Sequence, residues 1–264
     1  MIKHLLLGLS LLYSSMAAAE DGQMLQVQTR DGVTVPVFWV KQEHASATLI
    51  LLPGGAGGIG KLDDAGWPGS ANFLIRSGRM FAAYGFNIAM VSRPSDIQDL
   101  DFSVRTSDRH ILDLHKVLDY VHNLSDAPVW VVGTSRGTIS ATALAISESN
   151  TNANGALAGI VLTSSITDKK PGALPTQSLS KISVPVLVVH NQKDACPICQ
   201  PYQASYIVNA LKNAPARKLL MLDGGSGASG DVCEALHYHG FIGIEQQAVD
   251  AISQWIQHPV NAAP

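Results

Sequence analysis

The chain has 264 residues, only 15% of them charged, and a formal net charge of −3. That balance gives no electrostatic basis for binding nucleic acid or an anionic membrane. There is no internal repeat, heptad or low-complexity tract, which excludes a solenoid, a coiled coil and a largely disordered chain.

The N-terminal stretch reads as a targeting signal. Lys3 and His4 precede the apolar run Leu5–Leu12, which is too short to span a bilayer. Ala17-Ala18-Ala19 then has the small-x-small form of a signal-peptidase site. The expectation is a cleaved signal over 1–19, a periplasmic or secreted protein, and no membrane association after cleavage. The rest is long enough for one domain, 20–259, with a frayed tail over 260–264.

Apolar runs then alternate with helical patterns. Leu25–Thr29 and Val33–Val40 predict two strands around the turn Arg30-Asp31-Gly32, paired antiparallel. Thr48–Leu52 predicts a buried strand, Ala71–Tyr84 a helix stopped by Gly85, and Ile88–Val91 another strand. In 107–124, Ile111, Leu114, Leu118 and Val121 recur at helical spacing. A strand ending near Val132 and a helix from Thr138 follow. Gly159–Thr163, Val184–Val189 and Lys218–Leu222 predict strands, and Tyr202–Lys212 and Gly243–Ile256 predict helices. Continuous apolar strands spaced by helices imply an α/β fold with a mostly parallel sheet covered on both faces. About twenty residues separate Thr163 from Val184, room for a loop and not for a cap domain.

The most informative segment is Gly133-Thr134-Ser135-Arg136-Gly137, set between a predicted strand and a predicted helix. A Gly-x-Ser-x-Gly in that context predicts a nucleophile elbow, a sharp turn that presents the serine above the sheet. A serine hydroxyl is a weak nucleophile and needs a base, and the base needs an orienting acid. Asp194 lies just past the Val184–Val189 strand and is the expected acid, with Asp223 in reserve. His239, before Gly240 and the last helix, is the expected base in preference to His237. His110, His115 and His122 fall on a helical pattern and are expected to be solvated or packed. Backbone amides for an oxyanion are expected from Arg136 and from Gly55 or Ala56 in Pro53-Gly54-Gly55-Ala56-Gly57-Gly58.

Three motifs compete with this reading. Gly55 to Gly60 fits the spacing of a dinucleotide fingerprint, but Asp63, Gly66 and Pro68 follow where a helix must start. Gly55–Lys61 fits most of a P-loop, but Leu62 occupies the position of the Mg²⁺-binding hydroxyl. Cys196, Cys199, Cys233, His237 and His239 could compose a zinc site, but export favours oxidised cysteines. The expectation is no cofactor and no metal, with a Cys196–Cys233 disulfide tying the acid loop to the base loop. Cys199–Cys233 and Cys196–Cys199 remain open as alternatives.

The elbow, the Leu52-Pro53-Gly54-Gly55 loop, Asp194 and His239-Gly240-Phe241, in this order, resemble the α/β-hydrolase superfamily. More narrowly they resemble exported bacterial serine hydrolases with a Gly-Thr-Ser-Arg-Gly elbow. The resemblance implies an eight-stranded, mostly parallel sheet and hydrolysis of an ester, thioester or amide. Pro53-Gly54-Gly55 departs from the His-Gly-Gly-Gly loop of many lipases and esterases. The reading is a carboxylesterase acting on a small-molecule ester through a Ser135–His239–Asp194 triad. An aminopeptidase-like amidase and a non-catalytic binding protein on the same scaffold are the alternatives.

Overall fold

The computed structural model describes residues 22–151 and 156–260. The expected signal segment and the residues after Val260 lie outside the described part. The strands are β1 (Gln23–Arg30), β2 (Val33–Val40), β3 (Ala47–Leu52), β4 (Phe86–Val91), β5 (Val129–Thr134), β6 (Gly159–Thr163), β7 (Val186–Asn191) and β8 (Arg217–Leu222). The helices are α1 (Phe73–Arg76), α2 (Gly78–Ala83), α3 (Phe102–Arg105), α4 (Asp108–Leu124), α5 (Gly137–Thr151), α6 (Ala204–Ala210) and α7 (Glu245–Gln257).

All eight strands form one sheet in the order β1-β2-β4-β3-β5-β6-β7-β8. The β1–β2 and β2–β4 pairs are antiparallel, and every pair from β4–β3 to β7–β8 is parallel. The parallel strands are apolar on both faces because both faces are covered. In β5, Val129 and Val131 enter one core with Leu114 and Val117 of α4 and Leu144 of α5. Trp130 and Val132 enter the opposite core with Phe73 of α1, Phe81 of α2 and Ile252 of α7. Successive side chains on a strand point to opposite faces, so one run of apolar residues supplies both cores.

Three elements differ in detail from the sequence pattern, each for a local reason. The helix expected over 71–84 is broken at Ser77 into α1 and α2. Gly78 sits so close to β4 that a Cβ there would fall 1.9 Å from Met90 Cε. The strand expected from Ile88 begins at Phe86, because the buried Asn87 is satisfied in place. Asn87 donates to Thr48 Oγ1 and Ser125 Oγ, both at 2.9 Å, and accepts from the Gln42 N–H at 2.8 Å. The strand expected from Val184 starts at Val186, after Pro185, whose nitrogen has no proton for a ladder. Between β6 and β7 lie two short 3₁₀ turns, Leu174–Thr176 and Leu179–Lys181, and no cap domain.

Parallel pairing brings the carboxyl ends of β3, β5, β6 and β7 to one edge of the sheet. Leu52 pairs with Gly133, and Thr134 with Thr163. The loops that leave this edge carry the residues discussed next.

Candidate active site

Ser135 follows the last residue of β5 and has φ 52°. A non-glycine residue in the left-handed region is strained and persists only where its surroundings enforce it. Here they do. The Ser135 N–H donates to Thr163 O at 3.0 Å, and its carbonyl accepts from the Thr138 N–H and hydroxyl. The two glycines of the elbow serve close approach. A Cβ on Gly133 would lie 2.6 Å from Gly137 O, and one on Gly137 would lie 2.1 Å from Leu52 O.

His239 is buried in a 3₁₀ turn, Tyr238–Gly240. Its Nδ1 is 2.9 Å from Asp194 Oδ2. The other carboxylate oxygen, Oδ1, accepts the Cys196 N–H at 2.9 Å. Asp194 is also buried, so this hydrogen bond is shielded from solvent. His239 Nε2 makes no hydrogen bond among the described residues. The turn carrying the imidazole is held from three sides. Ser164 donates its hydroxyl to His239 O at 2.7 Å, Arg76 donates to Gly240 O at 2.6 Å, and Phe241 packs on Phe73. A Cβ on Gly240 would fall 1.9 Å from Ala235 O, so only glycine fits after the histidine.

The other sequence candidates are placed elsewhere. His237 lies edge-on to Tyr238, and it is His239, not His237, that is hydrogen-bonded to Asp194. Asp223 is exposed beyond β8, away from any imidazole hydrogen bond. His115 and His122 are partly exposed on α4, bonded to Ser147 Oγ and Ala156 O. Cys196 and Cys233 are joined in a disulfide, with Cα atoms 4.6 Å apart, and Cys199 is free and buried. Cys196, Cys199 and His239 place their donor atoms within 4.8 Å of one another. A sulfur committed to a disulfide is not a thiolate, so this cluster does not fit zinc while the bridge is closed.

Ser135, His239, the disulfide and Gly54–Ala56 line one open cleft of about 510 Å³. Gly55, Ala56 and Arg136 have backbone N–H groups with no acceptor among the described residues. Gly55 has φ 54°, a conformation that glycine adopts without strain.

Two features had no signal in the sequence. Arg105, the last residue of α3, is fully buried behind the glycine loop. It donates to Pro53 O and Gly55 O at 3.1 Å, to Leu100 O at 2.8 Å and to Ser140 Oγ at 2.9 Å. Burial lowers its pKa to about 9, helped by Arg136, which leaves it a cation at neutral pH. Ser140 Oγ also lies 2.9 Å from His110 Nε2. That hydroxyl therefore bridges the Arg105 guanidinium and the His110 imidazole. Burial, with nearby Arg105, holds His110 at a pKa of about 3. The second feature is Cys199. Burial pushes its thiol well above its ordinary range, and the nearby Asp194 adds to the rise.

A mostly parallel sheet of eight strands in this order matches many solved structures. The chain has the α/β-hydrolase fold. It is similar to an α/β serine hydrolase homologue from Coxiella burnetii, at TM-score 0.58 and 14% identity over 89% of this chain and 95% of that one. It is similar to an α/β serine hydrolase without a lid from Xanthomonas campestris, at TM-score 0.59 and 13% identity over 93% and 98%. A cold-adapted esterase from an Arctic intertidal metagenomic library aligns at TM-score 0.54 and 16% identity over 88% and 92%. No family model and no curated protein matches the sequence. At these identities the likeness to α/β hydrolases is one of fold, and the chemistry rests on this chain's own residues.

Proposed function

We propose that the chain is a serine hydrolase, a carboxylesterase by its main activity, acting through an acyl-enzyme. The observation that carries this reading is the buried Asp194–His239 pair sharing a cleft with a serine held at φ 52°. In this reading His239 Nε2 closes on the Ser135 hydroxyl when substrate fills the cleft, since such bonds are often open in the free enzyme. His239 takes the serine proton as Ser135 attacks the acyl carbon. The amides of Arg136 and of Gly55 or Ala56 stabilise the oxyanion. His239 then gives the proton to the leaving alkoxide, and water repeats the sequence to free the acid. Asp194 fixes the tautomer with its proton on Nδ1 and stabilises the imidazolium. Esterase and serine-hydrolase neighbours of the same fold support the class.

Export to an oxidising compartment belongs to the same proposal. A disulfide, and no helix long and apolar enough to cross a membrane among the described residues, are compatible with it.

The test is labelling by a fluorophosphonate probe, with the adduct located by peptide mapping, beside a panel of p-nitrophenyl esters and aminoacyl anilides. Stoichiometric labelling of Ser135 and turnover of esters are expected. An unlabelled Ser135 in folded protein defeats the reading, and anilides cleaved faster than esters would move it to an amidase.

A further inference from the structure

The cleft carries charge that the proposed mechanism does not use. Besides His239, three ionisable side chains line it: Arg93, Arg136 and Glu234. Arg136 is committed, with its Nη1 3.1 Å from Asp99 Oδ1. Glu234 is exposed, and water screens it. Arg93 is different. It follows β4, is half-buried, and has no hydrogen-bond or ion-pair partner among the described residues. Its guanidinium lies on the glycine loop, so that a Cβ on Gly58 would fall 2.8 Å from Nη1. Gly58 thus makes room for a cation beside the loop that holds the proposed oxyanion amides.

A half-buried guanidinium left unpaired next to a reaction centre is poised for a ligand carboxylate, which it can bind through two parallel N–H···O bonds. The geometry points to Arg93 as a specificity-determining residue that selects substrates carrying an anionic carboxylate near the scissile ester. This rests on the hydrolase reading and narrows its substrate class to half-esters and ester acids. Glu234 disfavours such a substrate, but an exposed carboxylate acts through high dielectric, while the partly desolvated Arg93 acts through less.

The test compares kcat/KM within matched pairs. Monomethyl glutarate against methyl pentanoate places the acid on the acyl side, and 4-carboxyphenyl butyrate against phenyl butyrate places it on the alcohol side. Wild type is expected to prefer the acid in one pair. Arg93→Gln should lower that acid-to-neutral ratio about 10- to 100-fold, the worth of a hydrogen-bonded charge, and Arg93→Lys should restore part of it. Gly58→Ala, which keeps the charge but displaces the guanidinium, should lower the ratio too. In parallel, glutarate and the neutral glutaramide are titrated calorimetrically into wild type and Arg93→Gln. Glutarate should bind wild type at least about ten times more tightly than the variant, and glutaramide should not discriminate. Esters cleaved with a ratio that Arg93→Gln leaves unchanged overturn this inference and leave the hydrolase standing. Glutarate bound through Arg93 without cleavage of any ester would keep the anion site and defeat the hydrolase.

Discussion

The Cys196 N–H donates to Asp194 Oδ1 at 2.9 Å while the Cys196 side chain is bonded to Cys233. The acid of the candidate triad is therefore tied to the loop that carries its histidine. Losing the bridge, by Cys233→Ser or by reduction, should lower stability by about 3–4 kcal/mol in the chain-entropy account of a closure of this length. Turnover should fall in the same samples, since small drifts between Asp194 and His239 are costly. Thermal melts and ester assays with and without reductant check both. Reduced protein with full turnover would show that the bridge does not position the pair.

Ser135→Ala should lower turnover by about 10⁴- to 10⁶-fold in folded protein. His239→Ala should behave alike, and Asp194→Asn should lose somewhat less because the base survives in a poorer orientation. His237→Ala should be mild, since it is His239, not His237, that is hydrogen-bonded to Asp194. Steady-state kinetics on one ester decide the order. An inactive His237→Ala beside an active His239→Ala would reverse the assignment.

Arg105 holds the glycine loop by two of its carbonyls and is expected to position the oxyanion amides from behind. Arg105→Lys keeps a cation but loses the planar fork that reaches Pro53, Gly55 and Ser140 together. A fall in kcat of about 10- to 100-fold is expected, with a smaller change in thermal midpoint. Unchanged kcat with a lowered midpoint would make Arg105 a structural residue alone.

Acid should unfold the protein through two buried histidines. Burial lowers His190 from 6.5 to about 4, opposed by Asp194, and lowers His110 from 6.5 to about 3. His190 Nε2 accepts the Ser165 N–H at 3.0 Å and so must be neutral in the native state. The unfolded chain takes up both protons near pH 6.5, and the native state resists until about 4 and 3. Stability therefore falls as pH drops from about 6.5 to 3, by a few kcal/mol for each histidine. Urea midpoints measured between pH 7 and 4 check this. His190→Gln should flatten the slope between about pH 6.5 and 4.

The parts legible in the sequence were those written locally. The order strand, Gly-x-Ser-x-Gly, helix lies within one short stretch, and the two-sided sheet shows as continuous apolar runs in β3, β5 and β7. The start of β4 was hidden because Asn87 is polar, and its burial depends on Thr48 and Ser125, distant in sequence. Arg105 gave no signal for the same reason. Its partners Pro53, Gly55 and Ser140 lie 52, 50 and 35 residues away. Ser164 looked like an ordinary residue after a strand, yet its hydroxyl holds the His239 turn. Cys199 read as a spare thiol, because nothing in Cys196-Pro-Ile-Cys199 says that the second sulfur sits within 4.8 Å of a His239 ring nitrogen.

An odd number of cysteines makes pairing a contest during biogenesis. Three thiols allow three single bridges, and only Cys196–Cys233 ties the residue whose N–H holds Asp194 to the histidine's loop. Loop length scarcely separates Cys196–Cys233 from Cys199–Cys233, because closure entropy grows only as the logarithm of length. Discrimination must come from native packing, which sets Cys196 against Cys233 and leaves Cys199 as a free thiol. Chains oxidised before that packing forms would be caught with the wrong partner and an untethered acid. Preparations of this protein should therefore differ in specific activity with the route of oxidation, and a thiol–disulfide shuffling buffer should bring them together.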